Sequence, residues 1–344
     1  MTEPAPAREP PRPSTAPPGR QSSGGRLWRY APLLLLPVVA VAGMLASQPW
    51  RMTLVFACIW AMYAVGYDLF SGYSGRVNLG YAMFPGTAGY VTAILSVKLG
   101  FPPLVSLPCG VLAAVLLALV VGALTLRIQG IYFGLATAIV PLSLFQLTHV
   151  LGRVLGGEEG VWGVPAFFLD PRLDLLVVLG LLAACVGFAL WFTNSKAGLV
   201  LRAIKGSDLT SQALGIDRFR FLLTGFLISA AFGGLGGAYA AHFQMFVGPE
   251  LLFIITTLQV ITFTIVGGPA TIVGPMVGSF ALVILNEYLR NWTEVRLFAY
   301  FVVLVLLVRF SPNGLIVPAA RALHRIVASR SERSPAATGA RSER

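Results

Sequence analysis

The chain has 344 residues, 56% of them hydrophobic and only 11% charged, with a formal net charge of +11. An ordinary soluble domain carries about 25% charged residues, and a water-exposed fold of this length cannot hide so much apolar surface. Lipid must be the solvent for most of the chain, and Cys58, Cys109 and Cys185, all in apolar runs without pairing or ligand spacing, read as small buried hydrophobes rather than disulfide or metal positions.

Residues 1–29 are rich in Pro, Arg and Ser. Such a stretch buries no core and is expected to be a disordered tail. It is too long and Pro-rich for the leading region of a signal peptide, and no small-x-small cleavage site follows 31–46. Crossing hydrocarbon takes about 20 apolar residues per helix. Ten segments qualify: 31–47, 52–70, 78–97, 103–126, 131–150, 174–193, 221–242, 251–267, 271–289 and 297–310. The first and last are short, and the Gly-rich 78–97 and 271–289 read either as full spans or as broken or re-entrant helices. Helices are expected because an open strand edge in lipid leaves its backbone groups unpaired. The predicted fold is an all-α polytopic membrane protein with about ten spans. A transmembrane domain covers 30–318, and a basic, Ser-rich tail covers 319–344.

Orientation follows from Lys and Arg. With ten spans, 19 of the 25 basic residues fall on the side of the two termini. The other side receives Arg51, Lys98, Arg153, Arg172, Arg290 and Arg296. The positive-inside rule then places both termini and the loop 194–220 in the cytoplasm. The charge balance calls for no nucleic acid.

Little in the sequence suggests catalysis. His149 and His242 sit at predicted outer helix ends, reading as headgroup-level residues, and His324 lies in the tail. No HExxH or GxSxG pattern occurs, so no catalytic or metal-ligating residue is assigned. Asp68 falls at the inner end of its span and Glu287 at the outer end of its own, with no acid or base at the midpoint of any segment. An ion-coupled secondary transporter usually carries such groups, so that class is the weaker alternative. No GxxxxGK[ST] phosphate loop is present. The chain itself therefore offers no nucleotide site and no cofactor is expected in it.

The loop 194–220 is the most polar interruption of the apolar pattern. Ser195 is placed to cap a helix running from Ala197 to Lys205, and Gly206 breaks it. Ser207 then suits a helix start, and Asp208 sits where the positive end of the helix dipole favours an anion. Leu209, Ala213 and Leu214 share one face of a two-turn helix, and Gly215 supplies the left-handed residue after it. So short a helix is marginal alone; its core, the lipid surface or a cytoplasmic partner should receive its apolar face.

Arg202-Ala203-Ile-Lys-Gly-Ser-Asp-Leu-Thr-Ser-Gln-Ala-Leu-Gly-Ile216 resembles the cytoplasmic loop of the branched-chain amino-acid ABC transporter permeases, the LivM-like branch. The similarity continues through FLLTGFLISAAFGGLGGAYAAHF (221–243), Val247–Glu250, Val266–Gly278 and Arg309–Leu315. Upstream, Gly72–Gly80 and Arg127–Phe133 are similar to first-half motifs, so the resemblance covers about residues 50–318. Tyr81 stands where relatives commonly have His, and Glu158 and Glu159 stand where small polar residues are frequent. The resemblance implies that Arg202, Ala203, Ser207, Asp208, Leu209, Ala213, Leu214 and Gly215 couple the chain to an ATPase subunit. It also implies a homologous second permease, two ATP-binding cassette subunits and an extracytoplasmic solute-binding protein, in a prokaryotic inner membrane. Branched-chain or related amino acids are the expected solutes; urea or short amides are the alternative in the same importer class.

The glycines have a physical use of their own. GxxxG pairs at Gly130/Gly134, Gly233/Gly237 and Gly274/Gly278 allow close helix approach where lipid supplies no hydrophobic push. Gly80, Gly86, Gly267 and Gly268 belong to Gly/Pro clusters at 71–90 and 267–278, at corresponding places in the two halves. These clusters read as packing positions or as helix breaks near the pathway. Asn78, Thr92, Thr137, Gln146 and Gln259 are candidates to line it, or else serve as interhelical hydrogen bonders.

Overall fold

The computed structural model describes residues 35–168, 170–206, 215 and 217–291. The two tails, the tenth segment 297–310, the 309–315 motif and Ser207, Asp208, Leu209, Ala213 and Leu214 lie outside the described residues.

Helix α1 (Leu35–Leu45) ends in a break where the buried Arg51 side chain donates to the carbonyls of Gly43, at 3.1 Å, and Ala46, at 2.9 Å. A cation there satisfies carbonyls that the helix end leaves free. Helix α2 (Gln48–Tyr67) starts with Pro in its first turn, which costs no hydrogen bond at that position. It runs directly into a π-helical turn, Asp68–Gly72. The remaining helices are α3 (Met83–Lys98), α4 (Pro103–Thr125), α5 (Ile131–Val150), the single turn α6 (Gly152–Leu155), α7 (Pro171–Asn194), α8 (Lys196–Gly206), α9 (Arg218–Gln244), α10 (Ile254–Gly267) and α11 (Val273–Tyr288).

Among the described residues, five helical stretches are long and apolar enough to cross a membrane: Gln48–Gly72, Pro103–Thr125, Ile131–Val150, Pro171–Asn194 and Arg218–Gln244. Of the two Gly-rich segments, 78–97 is helical only from Met83, whereas 271–289 holds one unbroken helix, Val273–Tyr288, preceded by a tight turn. Residues 75–82 are not helical, and α3 starts only at Met83. Gly75 takes φ +74°, and the Asn78 side chain accepts from the Gly80 amide at 2.9 Å, a local bond that competes with helix formation. In the other half, α10 and α11 have 14 and 16 residues, or roughly 21 and 24 Å at 1.5 Å per residue. They meet at a tight loop, Gly268–Ile272. The first break is largely buried in protein, where irregular backbone is tolerated at membrane depth; in the tight loop, Gly268 and Ile272 are buried and Pro269 is exposed. The first break also touches α10: the Ala82 amide donates to the Thr257 hydroxyl at 2.9 Å.

The centre of the bundle is α2, α3 and α9, with α4, α7 and the α10–α11 pair around them. Glycine makes the centre tight. A Cβ at Gly237 would strike the backbone of Pro85 on α3; one at Gly234 would lie 2.9 Å from Ala114 of α4; one at Gly236 would lie 2.6 Å from the Tyr63 ring of α2. Gly233 faces the Tyr81 hydroxyl and Phe84 at 3.0 and 3.1 Å. Edge-on aromatic contacts fill the adjoining layer, with Phe226 5.1 Å from Phe70 and 5.3 Å from Phe84 between ring centres. The periphery is the opposite: Leu112, Leu116 and Leu124 of α4 and Leu135, Ile139 and Leu142 of α5 are exposed, as lipid-facing side chains should be.

At one end of the bundle a two-residue antiparallel pair, β1 (Val161–Trp162) with β2 (Phe246–Val247), joins the loop after α6 to the turn after α9. The other end gathers residues 68–82, 126–130, 195–206 and 268–272.

Candidate coupling and translocation surfaces

Helix α8 carries the part of the coupling stretch that the structure describes. Gly198, Leu201 and Ile204 are buried, while Ala203 and Lys205 are exposed, so one stripe docks on the bundle. A Cβ at Gly198 would meet the backbone of Phe192 and Thr193, which is how α8 turns so sharply off α7. Leu201 fits over Gly225 of α9. Ser195 does not cap α8 with its side chain, as its position suggested; its hydroxyl donates back to the Phe192 carbonyl at 2.6 Å, closing the end of α7. On the far side of residues 207–214, Gly215 has φ +72°, and Asp217 starts α9 by accepting from the Arg220 amide.

Two basic side chains of α8 reach the segment after α2. The Arg202 guanidinium lies 4.8 Å from the Tyr73 ring centre. The Lys205 ammonium donates to the Gly72 carbonyl at 2.8 Å. Nearby, Arg76 donates to the carbonyls of Leu126, at 2.8 Å, and Ile128, at 3.0 Å, closing the end of α4 with a cation.

Behind this segment lies a feature that sequence reasoning missed. The Asp68 carboxylate is fully buried and accepts from three successive amides of the α10–α11 loop: Ala270 at 2.6 Å, Thr271 at 3.2 Å and Ile272 at 2.9 Å. Ala270 and Ile272 hold φ of 61° and 63°, a region that residues with a Cβ rarely visit. A carboxylate inside an apolar span is costly unless paired, and that was the available signal. Its partners lie some two hundred positions away in sequence, so the pattern around Asp68 could not name them.

The candidate pathway residues divide. Thr92 is buried and donates to the Ser106 carbonyl across α3 and α4 at 3.3 Å; Thr137 is buried and donates to Gly134 of its own helix at 2.9 Å. Asn78 is buried in the first break. All three are buried within the chain. Gln146 on α5 and Gln259 on α10 are exposed on their helices.

The glycine positions divide as well. Gly80 approaches the Thr137 backbone, Gly86 the Leu252 side chain, Gly134 the Val77 carbonyl, and Gly267, Gly274 and Gly278 one another and Phe263 across the α10–α11 hairpin. Gly268 turns the chain at φ 111°. Gly130 is not a packing position: it has φ +62° at the start of α5 and no atom near where its Cβ would be, so its use is conformational.

His242 also departs from expectation. It is fully buried, its Nδ1 donates to the Pro165 carbonyl at 2.7 Å, and its Nε2 pairs with the Ser106 hydroxyl at 2.9 Å. It ties α9 to α4 and to the loop beside β1 because that loop folds back over the helix end. His149 stays nearer solvent, 3.8 Å from Glu158.

Several apolar spanning helices around a glycine-packed centre, with a basic helix at one end, define a multi-pass membrane protein. Residues 51–310 match the family described as branched-chain amino acid transport system / permease component, and the chain belongs to that family. It is thus an ABC transporter permease subunit of the inner membrane, a class that works with ATPase subunits. It is 26% identical over 288 residues to the high-affinity branched-chain amino acid transport system permease protein LivM of Escherichia coli strain K12, covering 75% of this chain and 68% of that protein. The LivM protein of Salmonella typhimurium is 25% identical over 315 residues, covering 83% and 74%. The guanosine ABC transporter permease protein NupQ of Bacillus subtilis strain 168 is 26% identical over 212 residues, covering 55% and 65%.

Proposed function

We propose that this chain forms half of the translocation pathway of an ABC importer for branched-chain amino acids. A homologous second permease would complete the pore, two ATP-binding cassette subunits would sit beneath it, and an extracytoplasmic binding protein would deliver the solute. The observation that carries the solute assignment is the similarity to two LivM proteins over three quarters or more of the chain. Nucleosides are the second reading, favoured by the shorter match to the guanosine permease.

In this reading both termini and the end of the bundle bearing α8 face the cytoplasm, and the β1–β2 end faces the binding protein. Arg202, Ala203, Ser207, Asp208, Leu209, Ala213, Leu214 and Gly215 couple to the ATPase. The exposed amides of Gln146 and Gln259 support a pathway role for the faces of α5 and α10, since a glutamine turned to lipid has no hydrogen-bond partner there. Discrimination of 10⁴-fold or more needs buried polar partners that the wrong solute leaves unpaired. With few such groups on these faces, selectivity rests with the binding protein.

The test is reconstitution of the four-subunit complex in proteoliposomes, with ATP inside and the binding protein outside. Labelled leucine, isoleucine and valine should enter only with ATP. Guanosine uptake in their place would establish the second reading. Leucine uptake that ignores ATP and stops when an ion gradient collapses would overturn the importer class.

A further inference from the structure

We propose that Asp68 and Lys205 are the link through which the cytoplasmic loop moves the α10–α11 hairpin during transport. This rests on the reading that the loop 194–220 docks on the ATPase.

The segment from Asp68 to Gly75 is held from two sides. From one side α8 grips it: the Lys205 ammonium bonds the Gly72 carbonyl at 2.8 Å, the Lys205 stem covers Gly75, and Arg202 lies over Tyr73. From the other side the hairpin loop is bound to it by three amides on one carboxylate, at Ala270, Thr271 and Ile272. Gly72 sits between the two grips. A Cβ there would strike Asp68 Oδ1 and lie 2.9 Å from the Ala270 amide, so loop and segment are in backbone contact. The π-helical turn presents Asp68 and the Gly72 carbonyl one turn apart, and such turns often mark functional sites in helices.

Two features make this a device for transmitting motion rather than a static brace. The hairpin loop holds Ala270 and Ile272 at positive φ, a conformation it would leave if the carboxylate withdrew. The hairpin itself is closed by glycine, with Gly267 against the backbone of Gly274 and Gly278, so α10 and α11 move as one piece. It also bears Gln259 on its exposed face. Displacement of α8 pulls on Gly72, shifts Asp68 and so moves the loop to which α10 and α11 are attached.

The test uses the complete transporter in nanodiscs and proteoliposomes, on a background with Cys58, Cys109 and Cys185 replaced by Ala. Spin labels at Leu199→Cys on α8 and Ile265→Cys on α10, both exposed positions outside the coupling residues, report the distance with and without trapped ATP. The wild-type distance should change on trapping. In Asp68→Asn and in Lys205→Met the change should be lost, while ATPase activity stays within about twofold and leucine uptake per ATP falls at least tenfold. Lys205→Arg should restore most of the uptake. The combined variant should be no worse than either single one, because both cut one chain of contacts. If Asp68→Asn fails to assemble, Lys205→Met at the exposed α8 carries the test alone. Unchanged label movement and uptake ratio in Lys205→Met, or losses that multiply in the double variant, overturn the link. Failure of the docking reading is distinguishable: it would show as a complex with Asp68 and Lys205 intact whose ATPase ignores Leu209→Asp in the loop. If the solute is not leucine, the label distances and ATPase activity still decide.

Discussion

The Tyr239 hydroxyl on α9 donates to the Asp174 carboxylate on α7 at 2.8 Å and lies 3.0 Å from the carbonyl of the same residue. Both residues are buried, so this bond fastens two spanning helices where no water can substitute. Removing one partner of a buried pair costs the desolvation of the other, about 1–3 kcal/mol. Tyr239→Phe should therefore lower the melting temperature of the detergent-purified complex, and more than Asp174→Asn, which leaves a neutral acceptor. Thermal-shift fluorescence on both variants checks the order.

His242 should behave as a structural cross-tie. His242→Ala removes the bonds to Pro165 and Ser106 and opens a gap beside Phe167, whose ring centre is 5.8 Å away. Ser106→Ala removes one bond and should cost about 1 kcal/mol. His242→Ala should exceed that and should raise protease cleavage between β1 and α7, measured by limited proteolysis of right-side-out and inside-out vesicles.

Glycines of the same helix-forming sequence should respond oppositely to a methyl group. Gly237→Ala drives Cβ into the Pro85 backbone, and overpacking of this kind typically costs about 1–3 kcal/mol. Gly180→Ala on α7 meets nothing within 4 Å and should be neutral or slightly stabilising. Expression and monodispersity by fluorescence-detected chromatography should separate the two; equal behaviour would contradict the packing of α9 on α3.

The orientation gives a labelling prediction. On the same cysteine-free background, Glu159→Cys should react with an impermeant maleimide in intact cells. Ala203→Cys should react only after the membrane is opened. Both side chains are exposed on this chain, and the assay uses the permease expressed without its ATPase subunits, so docking at Ala203 does not mask the result. Reaction of Ala203→Cys from outside would reverse the topology.

For the pathway, Gln146→Leu and Gln259→Leu should each slow uptake of every solute that the binding protein accepts, leaving their order of preference intact. Competition uptake assays measure this. A reversed order in either variant would place selection in the pore.

Much of this molecule is legible without coordinates. The membrane environment follows from composition, because apolar surface on this scale has no place in water. The helical spans follow from run lengths set by hydrocarbon thickness, and the Gly/Pro clusters at 71–90 and 267–278 mark a helix break and a tight turn between helices. Local chemistry also places the left-handed turn at Gly215. What one sequence cannot carry is the pairing of positions far apart. That Asp68 clamps Ala270, Thr271 and Ile272, that Lys205 grips Gly72, that His242 is buried under Pro165 and that Tyr239 meets Asp174 all depend on which helices become neighbours. The same dependence sorts the polar candidates, turning Thr92 and Thr137 inward and Gln146 and Gln259 outward. Helix formation in lipid is set by local hydrogen bonding, so a run of residues specifies it. The choice of neighbours is set by close backbone packing at Gly233, Gly234 and Gly237 and by a few buried polar bonds, which exist only once the helices have met.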